Sequence, residues 1–394
     1  MRNKNIIKYY SRMNLGDDLF IVLLAKHFPD IPFEVVGNPV YFARIKQRPK
    51  NLKQNILLNA LTTLIAFLSG KFAFFEWIYH RIVSRMEYRA QTIIQIGGSL
   101  FMEPSEGVSC RQLEISKAVT FEEVMAQRKY KVNSLVFENK AKFIIGANIG
   151  PVYTMSYMKQ LRESLSGYTS VCVRDLYSYA QCSSLNNVLY APDVIYNLKP
   201  LGKWQKREAK RKRIVFSVIR AEGKQELKHY KESYYKLLAQ AISQLSVDYD
   251  IDMVSFCEPE GDLLGIEEIQ KRIIGTCKKE NICIHRYDGD IDKILQVFER
   301  GDYIVASRFH AMILGTLYNK PIFPICYGAK MLHYLQDLRF EGKIGLPSIL
   351  YKMNVNDLMY NFTHKIECKC EKHKINAKLQ FEALERYLYR DVIE

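Results

Sequence analysis

Short runs rich in Ile, Val, Phe and Tyr recur along this chain, and each is followed by a turn signal and then by a stretch with helical spacing. That alternation leaves few folds open, because strands separated by crossover helices pair in parallel and need both sheet faces covered. The first half supplies candidate strands at Asn5 to Tyr10, Phe33 to Val36, Thr92 to Ile96, Phe143 to Asn148 and Ser170 to Arg174. A second series runs through Ile214 to Ile219, Ile251 to Phe256, Ile282 to His285, Tyr303 to Ala306 and Ile322 to Cys326. Leu227 to Leu245, Ile266 to Cys277, Ile291 to Phe298 and Ala311 to Tyr318 fit as its crossover helices. The second series therefore predicts a five-stranded doubly wound lobe.

Between the two series lies Leu201 to Arg213, where seven Lys or Arg face a single Glu and little can be buried. At 394 residues the chain also exceeds what one core usually serves. The expected organisation is an α/β protein with a Rossmann-like lobe over 1–200 and a basic linker over 201–213. A second Rossmann-like lobe over 214–345 and a helical tail over 346–394 complete it, with a cleft between the lobes. Within the tail, Ala377 to Tyr389 has the spacing of an amphipathic helix able to pack on either lobe.

Lys and Arg outnumber Asp and Glu by 57 to 42, a net charge of +15, which favours anionic partners such as phosphate or a lipid surface. Neither zinc-finger spacing nor an aromatic RNA-binding signature occurs, so nucleic acid is not expected. The nine cysteines are odd in number and scattered, and the first residues lack the apolar core of a secretory signal, which predicts a cytoplasmic protein with free thiols. Cys368, Cys370 and His373 fit no standard zinc pattern. Ile56 to Trp77 is nearly all apolar yet interrupted by polar and charged residues, so it predicts no spanning helix. Two readings of it stand: a helix buried in the first lobe, or a peripheral contact with the inner face of a membrane.

In open parallel sheets ligands bind beyond the carboxyl ends of the strands, which directs attention to the loops there. The first such loop is Asn14-Leu15-Gly16-Asp17-Asp18, in which Gly16 permits a tight turn and Asp17 or Asp18 can cap the next helix. Gly97-Gly98-Ser99 lets backbone approach a ligand, and Asn148-Ile149-Gly150-Pro151 follows a later strand. Arg174 comes next, with Asp175 as the N-cap of the helix after it; the Arg is placed either for an anion in the crevice or for a surface ion pair. The sharpest local signal is Asp302 to Ala311, where Ser307, Arg308 and His310 fall at a strand-to-helix junction. Backbone amides, the positive helix end and a guanidinium converge there on an anion, beside an imidazole suited to proton transfer. Lys330, in Tyr327-Gly328-Ala329-Lys330, follows the last strand and can reach the same cleft.

Taken in order, Asn14 to Asp17, Gly97-Gly98-Ser99, Gly150-Pro151, Val173-Arg174-Asp175, Ser178, Asp193, Ser255 to Asp262, Ser307 to Ala311, Pro321 and Tyr327 to Lys330 resemble the polysaccharide pyruvyl transferase family. Phe309 stands where the family commonly has Leu, and Ala191-Pro192-Asp193 is a loose version of its Asp-Pro segment. The resemblance implies glycosyltransferase-B-like lobes and transfer of pyruvate from phosphoenolpyruvate to two hydroxyls of one sugar, forming a cyclic ketal and releasing phosphate. It implies no metal or other cofactor, and a glycan or lipid-linked sugar as acceptor. By the same resemblance Arg174 and Arg308 hold the donor's carboxylate and phosphate, His310 acts as acid or base, and Lys330 assists the leaving phosphate. Ser307, Asn14, Asp17, Gly97, Gly98, Ser99 and Gly150 complete the expected substrate-binding set.

Two other functions fit the same sequence. A glycosyltransferase using a nucleotide sugar would need the same two lobes and basic cleft, since a fold does not fix a reaction. A noncatalytic, membrane-associated binding protein of polysaccharide assembly would rely on Leu201 to Arg213 and Ile56 to Trp77. The segments that would read an acceptor sugar, Met102 to Lys131 and Ile56 to Arg89, translate into no particular hexose.

Overall fold

A computed structural model describes residues 4–69, 78, 82, 87, 89–103, 140–202, 211–273 and 277–390. Its strands, all parallel, form two sheets. The first contains β1 (Lys4–Lys8), β2 (Phe33–Val36), β3 (Leu52–Lys53), β4 (Ala90–Ile96), β5 (Ala141–Ala147), β6 (Ser170–Val173) and β7 (Val188–Tyr190), in the order β3-β2-β1-β4-β5-β6-β7. The second contains β8 (Arg213–Val218), β9 (Asp250–Ser255), β10 (Ile282–Arg286), β11 (Tyr303–Ala306) and β12 (Ile322–Pro324), in the order β10-β9-β8-β11-β12. Every residue of β5 and β6 is buried, which is why Phe143 to Ala147 and Val171 to Val173 show no polar alternation.

Among the described residues the first lobe carries α1 (Leu15–His27), α2 (Pro39–Arg44), α3 (Ile56–Ser69), α4 (Met155–Ser166) and α5 (Leu176–Cys182). The second lobe has α6 (Lys231–Leu245), α7 (Asp262–Arg272), α8 (Ile291–Arg300), α9 (Phe309–Leu317) and α10 (Ala329–Asp337). The tail holds α11 (Val355–Thr363), α12 (Glu371–Asn376) and α13 (Leu379–Leu388). While α11 lies against β12 and α6, α13 crosses back to β5 and β6 of the first lobe. There Gln380 plugs the sheet, accepting from Gly146 N at 2.9 Å and donating to the Ala191 carbonyl at 2.7 Å.

Four expectations change. Neither Asp17 nor Asp18 caps α1: Asn14 does, accepting from Gly16 N at 3.1 Å, and both acids lie in the first turn. Gly16 is accordingly helical, not a turn residue. Helix α7 begins at Asp262, not Ile266, because Gly261 takes a left-handed φ of 86° that lets the chain turn directly into the helix. Helix α3 is not buried in the first lobe: Ile56, Leu57, Leu61 and Leu64 are exposed. The rest of the apolar stretch at 70–77, most of the basic linker and the 104–131 segment lie outside the described residues.

In each sheet the strand order reverses once, between β1 and β4 and between β8 and β11, and a doubly wound sheet opens a crevice at that point. The two crevices face each other across a closed cleft. Leu15 N donates to the Phe256 carbonyl at 3.1 Å, and Tyr287 donates to Asp18 Oδ2 at 2.8 Å. Elsewhere Tyr196 meets Thr316 and Tyr334 at 2.7 and 2.6 Å, and one cluster of buried apolar side chains draws on both lobes.

Candidate functional site

The first lobe brings three loops to its crevice. Asn14 fixes the start of α1 so that Gly16 abuts the imidazole of His310 from the other lobe; a Cβ there would lie 1.6 Å from Nδ1. After β4 come Gly97 and Gly98, the second of which leaves room for a charged group. Gly97 takes a φ of 153° that other residues rarely adopt, and a Cβ at Gly98 would lie 2.3 Å from the Arg174 guanidinium. Ser99, next in that loop, accepts from Lys330 Nζ at 3.1 Å.

Arg174 leaves the end of β6 and reaches the centre of the cleft. Its Nη1 donates to Asp193 at 2.8 Å and its Nη2 to Asn148 Oδ1 at 2.8 Å, while Nη1 also lies 3.3 Å from His310 Nε2. The Phe309 ring carries the guanidinium on its face, 4.1 Å from the central carbon. Because a guanidinium only donates, Nε2 of His310 is the acceptor and the ring proton sits on Nδ1. Asp175, one residue on, caps α5 by accepting from Ser178 N at 2.7 Å, as expected, which fixes the direction in which Arg174 leaves the strand.

On the second lobe Arg308 is held from behind. Asp262 takes its Nε at 3.0 Å and its Nη2, and Glu260 takes Nη1 at 2.8 Å while also binding Lys224 at 2.8 Å. Arg308 as a whole is 7% exposed, so this carboxylate fork is what makes its burial tolerable. Just before α9, the amides of Ser307 and Arg308 are taken up within the lobe, both donating to Ser217 Oγ, at 3.0 and 3.1 Å. The Ser307 hydroxyl accepts from Tyr234 at 3.0 Å.

Burial and mutual repulsion tune the ionisable groups. Burial, then the nearby charges of Arg174, Lys330 and Arg308, pulls His310 well below the usual imidazole range, so the ring is neutral at pH 7. Lys330 is drawn down to about 7 by burial, then by Arg174 and Lys224. Asp17 is pushed up to about 7 by burial and by Glu260, and it has no hydrogen-bond partner among the described residues. Glu260 is the exception: against its burial, Arg308 and Lys224 hold it well below the usual carboxylate range.

Of the residues singled out in the sequence, the fold brings together Gly16, Asp17, Gly97, Gly98, Ser99, Arg174, Arg308, His310 and Lys330. Asn14 and Ser307 are committed to the frame. Gly150 joins the frame too, with its amide donating to the Phe101 carbonyl at 2.7 Å; from that loop it is Asn148 that reaches Arg174. Sequence reasoning passed over Asn148, Asp193, Lys224, Glu260, Asp262 and Phe309 as members of the site. Asp193, Phe309 and the run from Ser255 to Asp262 lay within the family pattern, and Asn148 in a loop already singled out, whereas Lys224 gave no signal. Among the described residues no group of three or more His, Cys, Asp or Glu is placed to hold a metal ion.

Comparison with known proteins follows the same lines. No curated protein matches the chain by sequence. Among solved structures, S. aureus MnaA with UDP is 10% identical, with a TM-score of 0.57, covering 100% of this chain and 98% of that one. Methanocaldococcus jannaschii UDP-GlcNAc 2-epimerase, in complex with UDP-GlcNAc and UDP, gives 10% identity and a TM-score of 0.56 over 99% and 100% of the two chains. HepE of Anabaena, in complex with UDP and glucose, gives 11% and 0.51 over 99% of each. At such identities these proteins share the fold alone, the two-lobed architecture of GT-B glycosyltransferases and epimerases. The sequence model described as polysaccharide pyruvyl transferase is the match that reaches past the fold, since it runs over residues 14–328 and so through both halves of the cleft. On that match, which spans most of its length, the chain belongs to the polysaccharide pyruvyl transferase family.

Proposed function

We propose that the cleft binds phosphoenolpyruvate and transfers its pyruvyl group to two hydroxyls of one sugar in a polysaccharide or its precursor. Membership of the family supports a transferase of polysaccharide biosynthesis. The observation that carries the finer reading is the meeting of Arg174, Lys330 and a neutral His310 at one point between the lobes. Each suits a part of the donor: a guanidinium fork for carboxylate, a compact ammonium for phosphate, and an uncharged imidazole able to take a proton.

In this scheme Arg174 turns to the donor's carboxylate and frees Nε2 of His310, which removes the proton of the first hydroxyl as its oxygen adds to C2 of the donor. The methylene gains a proton and becomes the methyl group; Asp17, half protonated near neutral pH and open to the cleft, is its source. Phosphate then leaves C2 with Lys330 beside it, the second hydroxyl closes the ketal, and that hydroxyl's proton departs with the phosphate. The first hydroxyl's proton passes from His310 back to Asp17, which resets both groups, so that over the cycle one hydroxyl proton ends on the methyl group and one on the phosphate. Arg308 differs from the simplest expectation of a free anion clamp, since Asp262 and Glu260 already occupy it; the donor reaches its charge by displacing Glu260, which Lys224 can retain. We place this chemistry in the cytoplasm, a reading supported by the free thiols of all eight described cysteines.

A second reading, a nucleotide-sugar-dependent glycosyltransferase, is favoured by the likeness of the lobes to proteins solved with UDP. Melting curves separate the two, because a ligand that binds only the folded state raises the melting temperature. Phosphoenolpyruvate is expected to stabilise the protein and UDP-sugars to leave it unchanged; stabilisation by a UDP-sugar alone overturns the pyruvyl reading.

A further inference from the structure

Helix α3, ILLNALTTLIAFLS, contains no charged residue, although one side of it faces water. Its inner side is tied to the first lobe. The buried Asn59 accepts from Gly37 N at 2.9 Å and donates to the Asn55 carbonyl at 2.9 Å, and Ile65 is buried as well. Outward, Ile56 is 67% exposed, Leu57 85%, Leu61 47% and Leu64 56%. Positions 57, 61 and 64 lie on one helical stripe, so the face a soluble helix would give to charged side chains is given to leucine.

The chain leading into α3 supplies the complementary feature. Arg44, Lys46, Arg48, Lys50 and Lys53 are all exposed, and no Asp or Glu occurs between Glu34 and Glu76. Lys46 pairs with Asp288 and Asp290 of the second lobe, while the other four have no carboxylate partner among the described residues. Both features border the cleft. Gly37, which anchors the first turn of α3, follows the carboxyl end of β2, and Lys46 N donates to the Gly289 carbonyl at 3.0 Å across the lobes.

We propose that α3 and the 44–53 stretch form a docking surface for an anionic lipid bilayer. Helix α3 lies in the headgroup plane with Ile56, Leu57, Leu61 and Leu64 in the acyl boundary, and the cations sit over anionic headgroups. Charge decides between this occupant and a second copy of the chain, since a two-fold contact through the patch would bring two sets of like charges together. The contact proposed lies in the plane of the headgroups, and among the described residues no helix is long and apolar enough to span a bilayer. This surface is independent of the donor reading, because its test contains neither donor nor acceptor.

Flotation of the purified full chain with vesicles rich in phosphatidylglycerol, against vesicles of phosphatidylcholine alone, at low and high salt, is the test. Binding to the anionic vesicles should fall steeply with salt. Combining Leu57→Ser, Leu61→Ser and Leu64→Ser, or Lys50→Glu with Lys53→Glu, should each weaken it about ten-fold or more with an unchanged melting temperature. Failure of the wild type to float, equal flotation of the variants, or a wild-type dimer in sedimentation that the leucine variant dissolves would overturn the proposal.

Discussion

Gly16 has no space for a methyl group, because the His310 ring occupies the position its Cβ would take. Gly16→Ala therefore displaces the imidazole or parts the lobes, and we expect its turnover to fall about as far as that of His310→Ala, roughly 100-fold or more, the usual loss when general acid–base help is removed. Steady-state kinetics on the two variants check this; full activity in His310→Ala removes that residue from the mechanism. The tuned groups predict a stability gain at the expense of function. Asp17 has a folded pKa of about 7 against an ordinary 3.8, so the folded state prefers its protonated form. Its contribution to stability is complete below pH 3.8 and lost as pH rises through about 7. At pH 8, Asp17→Asn should melt a few degrees higher than the parent, about 2 °C or more, with the gap closing near pH 4 and with reduced turnover. Lys330 has the opposite sense, with its folded pKa lowered to about 7, so donor affinity should weaken as pH rises past that value. Lys330→Arg, which stays charged, should flatten that dependence in calorimetric titrations with phosphoenolpyruvate.

At the scale of elements, the loops after β6 and β11 hold their arginines through buried carboxylates. Arg174 and Asp193 have side chains only 2% and 1% exposed, so Asp193→Ala leaves a buried guanidinium short of its partner. A loss of about 3 kcal/mol or more in urea unfolding is expected, with donor binding impaired. A surface-like loss under about 1 kcal/mol would mean the pair is not buried in solution. This also explains what could be read in advance. Asp175 capping α5 and Ser307-Arg308-Phe309-His310 opening α9 are local signals, set by neighbours in sequence. Asp262 and Asp193 were passed over as site members because their partners lie 46 and 19 residues away and nothing local marks the pairing. That the amides of Ser307 and Arg308 are taken was not legible because their acceptor, Ser217, lies on another strand. Strands β3 and β7, with two and three residues, are too short for periodicity to register. Helix α3 was open to a core reading because its apolar face is turned outward, a distinction that hydrophobicity alone does not carry.

Across the whole molecule, the architecture does one thing that neither lobe does alone. The first lobe supplies Arg174, Asp17 and two glycines that leave space, and the second supplies His310, Arg308 and Lys330. Direct contacts such as Leu15 with Phe256 and Asp18 with Tyr287 hold the halves in register. The lobes that make this cleft were legible in the alternation of strand and helix; the convergence of their charged groups was legible only through family likeness, since it depends on how two separate sheets face. The central claim is that this convergence serves pyruvyl transfer. Phosphate release, measured with phosphoenolpyruvate and a panel of lipid-linked and synthetic glycans, tests it most directly. Acceptor-dependent release that is abolished in His310→Ala is the predicted result, and release of UDP from a nucleotide sugar with none of phosphate from phosphoenolpyruvate would contradict it.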